Sequence, residues 1–217
     1  MQRDLVPFFA EAFPAMTSAD RRLARTLYGL LARGRPVPPA ALAEALARPA
    51  DEVERTLGRW PGVFREDDGV VVAFWGMTVK EMPHRLHGDA IAASAWCAWD
   101  TLWLPALLEA TVDVASRCAQ SGEPVRLRVS PDRIESVAPA ATVLSFLEPD
   151  VGKLRANATA SFCHFVHFFR DRVAAEQWVV AHPGTFVTSL GEAFDLGRRV
   201  NAARYPDLAP QPEGARP

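Results

Sequence analysis

Residues 50–75, ADEVERTLGRWPGVFREDDGVVVAFW, decide the fold of the first part of the chain. Val53 and Leu57 are four residues apart, so Ala50 to Trp60 reads as a helix with one apolar face. Val63-Phe64 and Val70 to Trp75 are short β-like runs, and Asp67-Asp68-Gly69 between them is a hairpin turn. Upstream, Ala19 to Leu31 places Leu23, Leu27, Leu30 and Leu31 at helical spacing, with Ser18 or Asp20 available as N-cap. Gly34-Arg35-Pro36 ends that helix. Pro38 and Pro39 open a second one, carrying Leu42 and Leu46, and Pro49 breaks it. Three helices followed by a β-wing make a winged-helix pattern, complete by about residue 80.

The polar, turn-rich stretch Met82 to Asp89 predicts a boundary, giving an N-terminal unit of residues 1–80 and a second unit of residues 81–217. Ala90 to Leu104 reads as a buried helix, with Trp96, Trp99 or Asp100, and Trp103 at helical spacing and Pro105 as a kink or stop. Val112 to Cys118 and Val125 to Val129 flank a second hairpin turn, and Thr142 to Leu147 is another strand. Ser161 to Phe169 reads as a strand buried on both faces. Val173 to Ala181 and Leu190 to Tyr205 read as helices, and the Pro-rich tail from Pro206 as mobile. The fold class that follows is α+β: a winged-helix-like three-helix domain, then a mixed domain with an antiparallel sheet and flanking helices.

Composition narrows the functional classes. The chain has 217 residues, 49% of them hydrophobic, and a formal net charge of −2. It therefore lacks the basic excess of a nucleic-acid binder. It has no run long enough for a membrane span, and Met1-Gln2-Arg3-Asp4 does not resemble a secretory signal. The three cysteines are too few and too scattered for a disulfide framework, which predicts reduced thiols in a cytoplasm. No dinucleotide, P-loop, zincin or serine-hydrolase motif is present.

Two constellations could carry chemistry. Cys97 and Asp100, three residues apart among tryptophans, share one face if the segment is helical. A carboxyl in so apolar a setting tends to hold its proton near neutral pH, and a thiol beside a proton-donating acid is what protonolysis needs. Cys163 would share a strand face with Phe165, His167 and Phe169, which leaves open a metal site, a nucleophile–base pair or a satisfied core residue. Cys118, at a hairpin turn with no second Cys at knuckle spacing, reads as structural. On the third helix of the wing unit, Asp51, Glu52 and Glu54 stand against Arg55 and Arg59, which disfavours contact with phosphates.

The run Ala95-Trp96-Cys97-Ala98-Trp99-Asp100-Thr101-Leu102 resembles the signature of the organomercurial (alkylmercury) lyase family. So does Ser161-Phe162-Cys163 followed by Val166-His167-Phe168-Phe169. Gly34-Arg35-Pro36-Val37, Val129-Ser130-Pro131, and Glu192-Ala193-Phe194 with Leu196-Gly197 extend the likeness, in the family's order, from about residue 20 to residue 205. The resemblance implies cleavage of a carbon–mercury bond by protonation, giving a hydrocarbon and Hg(II). It assigns Cys97 and Cys163 as catalytic thiols, Asp100 as the catalytic acid, the same three as transient ligands of Hg(II), and Cys118 as structural. It implies no organic cofactor, low-molecular-weight thiols for product release, and a mercuric reductase as acceptor of Hg(II). His164 departs from members that carry an adjacent extra cysteine, and Trp99 and Trp103 are bulkier than the pattern leads one to expect. Two other readings compete: a thiol-based, metal-responsive winged-helix DNA-binding regulator, and a family member that binds another soft metal such as copper. Asp100 favours lyase chemistry, because metal binding alone needs no proton donor.

Overall fold

A computed structural model describes residues 4–13 and 15–208. Met1–Arg3, Pro14 and residues 209–217 lie outside the described residues, and with them most of the expected mobile tail. The helices are α1 (Val6–Ala12), α2 (Ser18–Leu31), α3 (Pro39–Leu46), α4 (Ala50–Arg59), α5 (Asp100–Leu108), α6 (Val151–Ser161), α7 (Arg172–Val180) and α8 (Leu190–Arg204). The strands are β1 (Val63–Arg65), β2 (Val71–Phe74), β3 (Met77–Thr78), β4 (His84–Gly88), β5 (Ile91–Ala95), β6 (Val112–Arg117), β7 (Pro124–Val129), β8 (Ile134–Ala138), β9 (Val143–Leu147), β10 (Phe168–Phe169) and β11 (Thr185–Ser189). The fold is α+β, with a helical N-terminal unit and antiparallel sheets flanked by helices.

The winged-helix unit forms as the leucine spacing dictates. Leu23, Leu27, Leu31, Leu42, Val53 and Leu57 are all buried, each stabilising by about 1.5–3 kcal/mol. The cap of α2 is Thr17 rather than Ser18 or Asp20. Asp20 N–H donates to Thr17 Oγ1 at 3.1 Å and Thr17 N–H donates to Asp20 Oδ2 at 3.0 Å, a reciprocal box with Asp20 as its third residue.

One eight-stranded antiparallel sheet, in the order β1-β2-β3-β5-β4-β6-β7-β8, carries the wing strands and the central strands together. A second sheet, β10-β9-β11, lies beside it. The sheet is continuous across residue 80, and the stretch read as a polar boundary contains β4, paired on both sides by β5 and β6. His84 and Leu86 are buried while Arg85 and His87 face outward or lie at the surface. That alternation is a half-buried strand whose polar residues mask it in sequence.

The expected helix from Ala90 to Leu104 is instead β5, a turn and α5. Alanines 92, 93 and 95 favour a helix intrinsically, but tertiary pairing overrides that. Small side chains let the end of α2 approach so closely that Ala92 N–H donates to Ala32 O at 2.7 Å. A Cβ on Gly34 would meet Ala92 O at 2.4 Å. The helix α5 runs through Pro105 to Leu108 and ends at Glu109 in the left-handed conformation. Among the described residues no helix is long and apolar enough to cross a membrane.

Candidate active site

The site is made by two turns that meet. After β5 the chain turns through Trp96-Cys97-Ala98-Trp99, and Asp100 opens α5. Asp100 Oδ2 accepts the Cys97 N–H at 2.9 Å, and Thr101 Oγ1 donates to Ala98 O at 2.7 Å. Asp100 thus folds back on Cys97 and closes the turn before α5, and the two do not share one helical face as sequence spacing suggested.

The second turn replaces the expected strand from Ser161 to Phe169. α6 ends at Ser161, Cys163–Phe165 form a 3₁₀ turn, and only Phe168–Phe169 pair with β9. Ser145 of β9, fully buried, accounts for the difference. Its Oγ donates to Phe165 O at 2.7 Å and accepts the His167 N–H at 3.0 Å, satisfying backbone groups that have left the ladder. A backbone bond, Ala98 N–H to Val166 O at 3.1 Å, ties the two turns together.

Cys97 Sγ, Cys163 Sγ and an Asp100 oxygen consequently lie within 4.8 Å of one another. Their residues are 0%, 6% and 4% exposed. His164 is exposed, and His167 points Nε2 at His164 O at 2.8 Å, so neither histidine joins the cluster. Cys118 is also outside it. It sits at the β6–β7 turn, its N–H donating to Glu123 O at 2.8 Å and its sulfur accepting the Ser121 N–H at 3.4 Å. Burial raises the Cys118 thiol, but hydrogen bonds from Ser121 and neighbouring backbone outweigh it and the net direction is down.

The electrostatics of the cluster follow from its dryness. Burial raises Asp100 to about 7, against the weaker opposing pull of the Cys97 thiol and N–H and the nearby Trp103 indole. Burial also pushes the Cys97 thiol well up, helped by Cys163 and by the Asp100 charge. Cys163 is drawn down by its hydrogen bond with Cys97, but burial and Asp100 leave it raised. At rest both thiols are therefore protonated, and Asp100 exchanges its proton near neutral pH.

The walls are aromatic. Trp99 packs on Phe9 at 4.5 Å between ring centroids, on Phe146 at 5.5 Å and on Phe162 at 5.9 Å. The cavity beside Asp100 and Cys163 holds about 30 Å³. Sequence reasoning missed Phe9 of α1, Phe162 and Gly76. Gly76 follows β2 with φ of +84°, and a Cβ there would stand 2.7 Å from Asp100 Oδ1 and 2.7 Å from Trp103 Cζ2. A glycine in a tight turn after an apolar strand was the available signal.

On and around α4, Arg55 pairs with Asp51 at 2.5 Å, Arg65 with Glu54 at 2.7 Å and Arg48 with Glu52 at 3.4 Å.

Residues 77–201 match the family model described as alkylmercury lyase, and residues 9–75 match the helix-turn-helix domain of alkylmercury lyase. An alkylmercury lyase of Staphylococcus epidermidis is 41% identical over 188 residues, covering 87% of this chain and 85% of that protein. One from Bacillus cereus is 40% identical over 189 residues, covering 87% and 84%. The fold is similar to the crystal structure of the mercury-bound form of MerB2, with a TM-score of 0.76 and 24% identity over 93% of this chain and 99% of that one. With two thiols and a proton-holding acid converging in a dry aromatic cavity, and relatives at this identity across most of its length, the chain belongs to the alkylmercury lyase family of enzymes.

Proposed function

We propose that this chain cleaves the carbon–mercury bond of alkyl- and arylmercury compounds by protonolysis, with Cys97 and Cys163 as mercury ligands and Asp100 as proton carrier. The observation that carries the reading is the convergence of exactly these three groups within 4.8 Å. Mercury is a soft metal, and thiolates are its matching ligands. Metal–sulfur bonds of about 2.3 Å, as for zinc, let thiolates up to about 4.6 Å apart share one ion, so sulfurs drawn together within this limit can hold it jointly.

R–Hg⁺ replaces the proton of one thiol. Ionised Asp100 takes the proton of the second thiol, whose sulfur then joins the metal and makes the carbon more basic. Asp100 delivers that proton to carbon, the C–Hg bond breaks, and the hydrocarbon leaves with Hg(II) held by both sulfurs and the Asp100 carboxylate close by. Two thiols and R–Hg⁺ thus give hydrocarbon, a neutral dithiolate of mercury and one proton. Aromatic walls exclude water and accommodate the organic group. Low-molecular-weight thiols remove Hg(II) by ligand exchange and a mercuric reductase accepts it. No organic cofactor takes part, and the setting is cytoplasmic.

The test is turnover by the purified chain with excess small thiol, followed as methane from methylmercury. Cys97→Ser and Cys163→Ser each abolish it, while Cys118→Ser retains turnover and lowers the melting temperature. Hydrocarbon release by either of the first two variants refutes the assigned roles. Mercury or copper binding without hydrocarbon release by the wild type refutes the lyase reading in favour of a soft-metal binder.

A further inference from the structure

The cavity next to Asp100 and Cys163 holds about 30 Å³. A water needs about 10–15 Å³ on this kind of measure, whereas an apolar cavity of about 150 Å³ is known to take benzene. The space therefore suits a methyl-sized group and not an aromatic ring. Whether that limit governs the reaction depends on which walls can yield.

Two sets of walls differ in how they are held. Phe9 and Phe13 come from α1 and the residue after it, and Leu154 and Ala158 from α6. These elements lean on each other through Arg155 Nη2, which donates to Glu11 O at 2.6 Å, and α6 contains a non-helical residue, Asn157. They form the outer cover, which must shift to admit any substrate, since the thiols are buried. Trp99 and Trp103 belong to the interior. Trp99 Nε1 donates to Ala193 O of α8 at 2.9 Å. Trp103 is wedged between two glycines. A Cβ on Gly197 would lie 2.8 Å from Trp103 Cβ, and one on Gly76 would lie 2.7 Å from Cζ2. Trp103 O also accepts from Asn201 Nδ2 at 2.9 Å. These contacts anchor both indoles against α8 and the turn at Gly76.

We infer that Trp99 and Trp103 are the specificity-determining residues of this chain, restricting it to organomercurials with small alkyl groups and disfavouring arylmercurials. The inference rests on the lyase reading above and narrows its substrate class. The full chain and its Trp99→Leu and Trp103→Leu variants are each given methylmercury and phenylmercury with excess thiol, and methane and benzene are quantified. The readout is the phenyl-to-methyl ratio of kcat/KM, relative to that of the wild type. Intrinsic reactivities of the two substrates, and any loss of folded protein, cancel in that comparison.

The ratio rises by about tenfold or more in at least one variant, within the range of about 10–200-fold by which a tight apolar pocket discriminates size. Trp178→Leu, which removes a ring stacked on His182 away from the cavity, leaves it unchanged. If a leucine variant does not fold, Trp99→Phe and Trp103→Phe replace it, with a smaller rise in the same direction. Methane release with a ratio unmoved in both positions, or a ratio raised equally by Trp178→Leu, overturns this inference and leaves the lyase reading standing. Absence of hydrocarbon from the wild type overturns both.

Discussion

Asp100→Asn tests the electrostatics of the site without requiring any substrate. The buried carboxyl is raised to about 7 from an ordinary 3.8. Between those values the folded chain keeps the proton that the unfolded chain has lost, so stability falls as pH rises through that window and levels off above about 7. Each unit costs about 1.4 kcal/mol. From pH 5 to pH 8 only the stretch up to about 7 counts, about two units, so the carboxyl alone removes about 3 kcal/mol over that interval. Asparagine keeps an acceptor for the Cys97 N–H and cannot ionise, so the variant lacks this loss. Urea unfolding of both proteins, under reducing conditions at several pH values, measures it. The other titrating groups are common to both and cancel in the difference. The expected result is that Asp100→Asn gains about 3 kcal/mol on the wild type between pH 5 and pH 8. Parallel stability curves would show that the carboxyl is not buried as a neutral acid, and the proton-carrier role would lose its basis.

Gly76→Ala places a methyl group 2.7 Å from both Asp100 Oδ1 and Trp103 Cζ2, at a φ of +84°. Left-handed strain and overpacking together cost about 2–5 kcal/mol, and displacing the acid by about 1 Å lowers kcat/KM by about a hundredfold; melting curves and methane release check the two effects. Ser145→Ala strips the Phe165 carbonyl and the His167 N–H of their shared partner. It costs about 1–3 kcal/mol and slows turnover by loosening the Cys163 turn, measurable by urea unfolding and by thiol alkylation, which becomes faster at Cys163 than at Cys97.

The winged-helix unit was legible because its helices obey one rule. Apolar residues at helical spacing, punctuated by Gly34, Pro36 and Pro49, leave few alternatives. The site residues were legible as types, since Cys97, Asp100 and Cys163 stand in recognisable runs. Their geometry was not, and for one reason in both cases. Three of the five residues of β5 are alanines, whose intrinsic preference is helical, and the strand is imposed by pairing with β4 on one side and β3 on the other. The aromatic run around Cys163 has strand composition, but Phe165 O and the His167 N–H pair with the hydroxyl of Ser145, about twenty residues upstream. α1, β3, β4, β8 and β11 escape a sequence reading because short segments carry too few residues to show a period, and α6 escapes it because Leu154 is its one buried residue.

The arrangement also explains why both thiols and the acid need to be buried at once. A dry cavity lined by indole and phenyl rings penalises any unpaired charge. With both thiols protonated and Asp100 holding a proton near neutrality, the resting site carries little charge. In the proposed reaction a cation arrives, one thiol proton departs and the other leaves on carbon, and the product is a neutral dithiolate of mercury, so the charge of the cation does not remain in the cavity. A site with one thiol would hold R–Hg⁺ stably and lack the second electron donor. A site with two thiols and no acid would have no nearby group to carry the second thiol's proton to carbon. Burial therefore does two things together: it keeps the thiols protonated until the metal displaces their protons, and it raises Asp100 to the range where it can both take a proton and give it up.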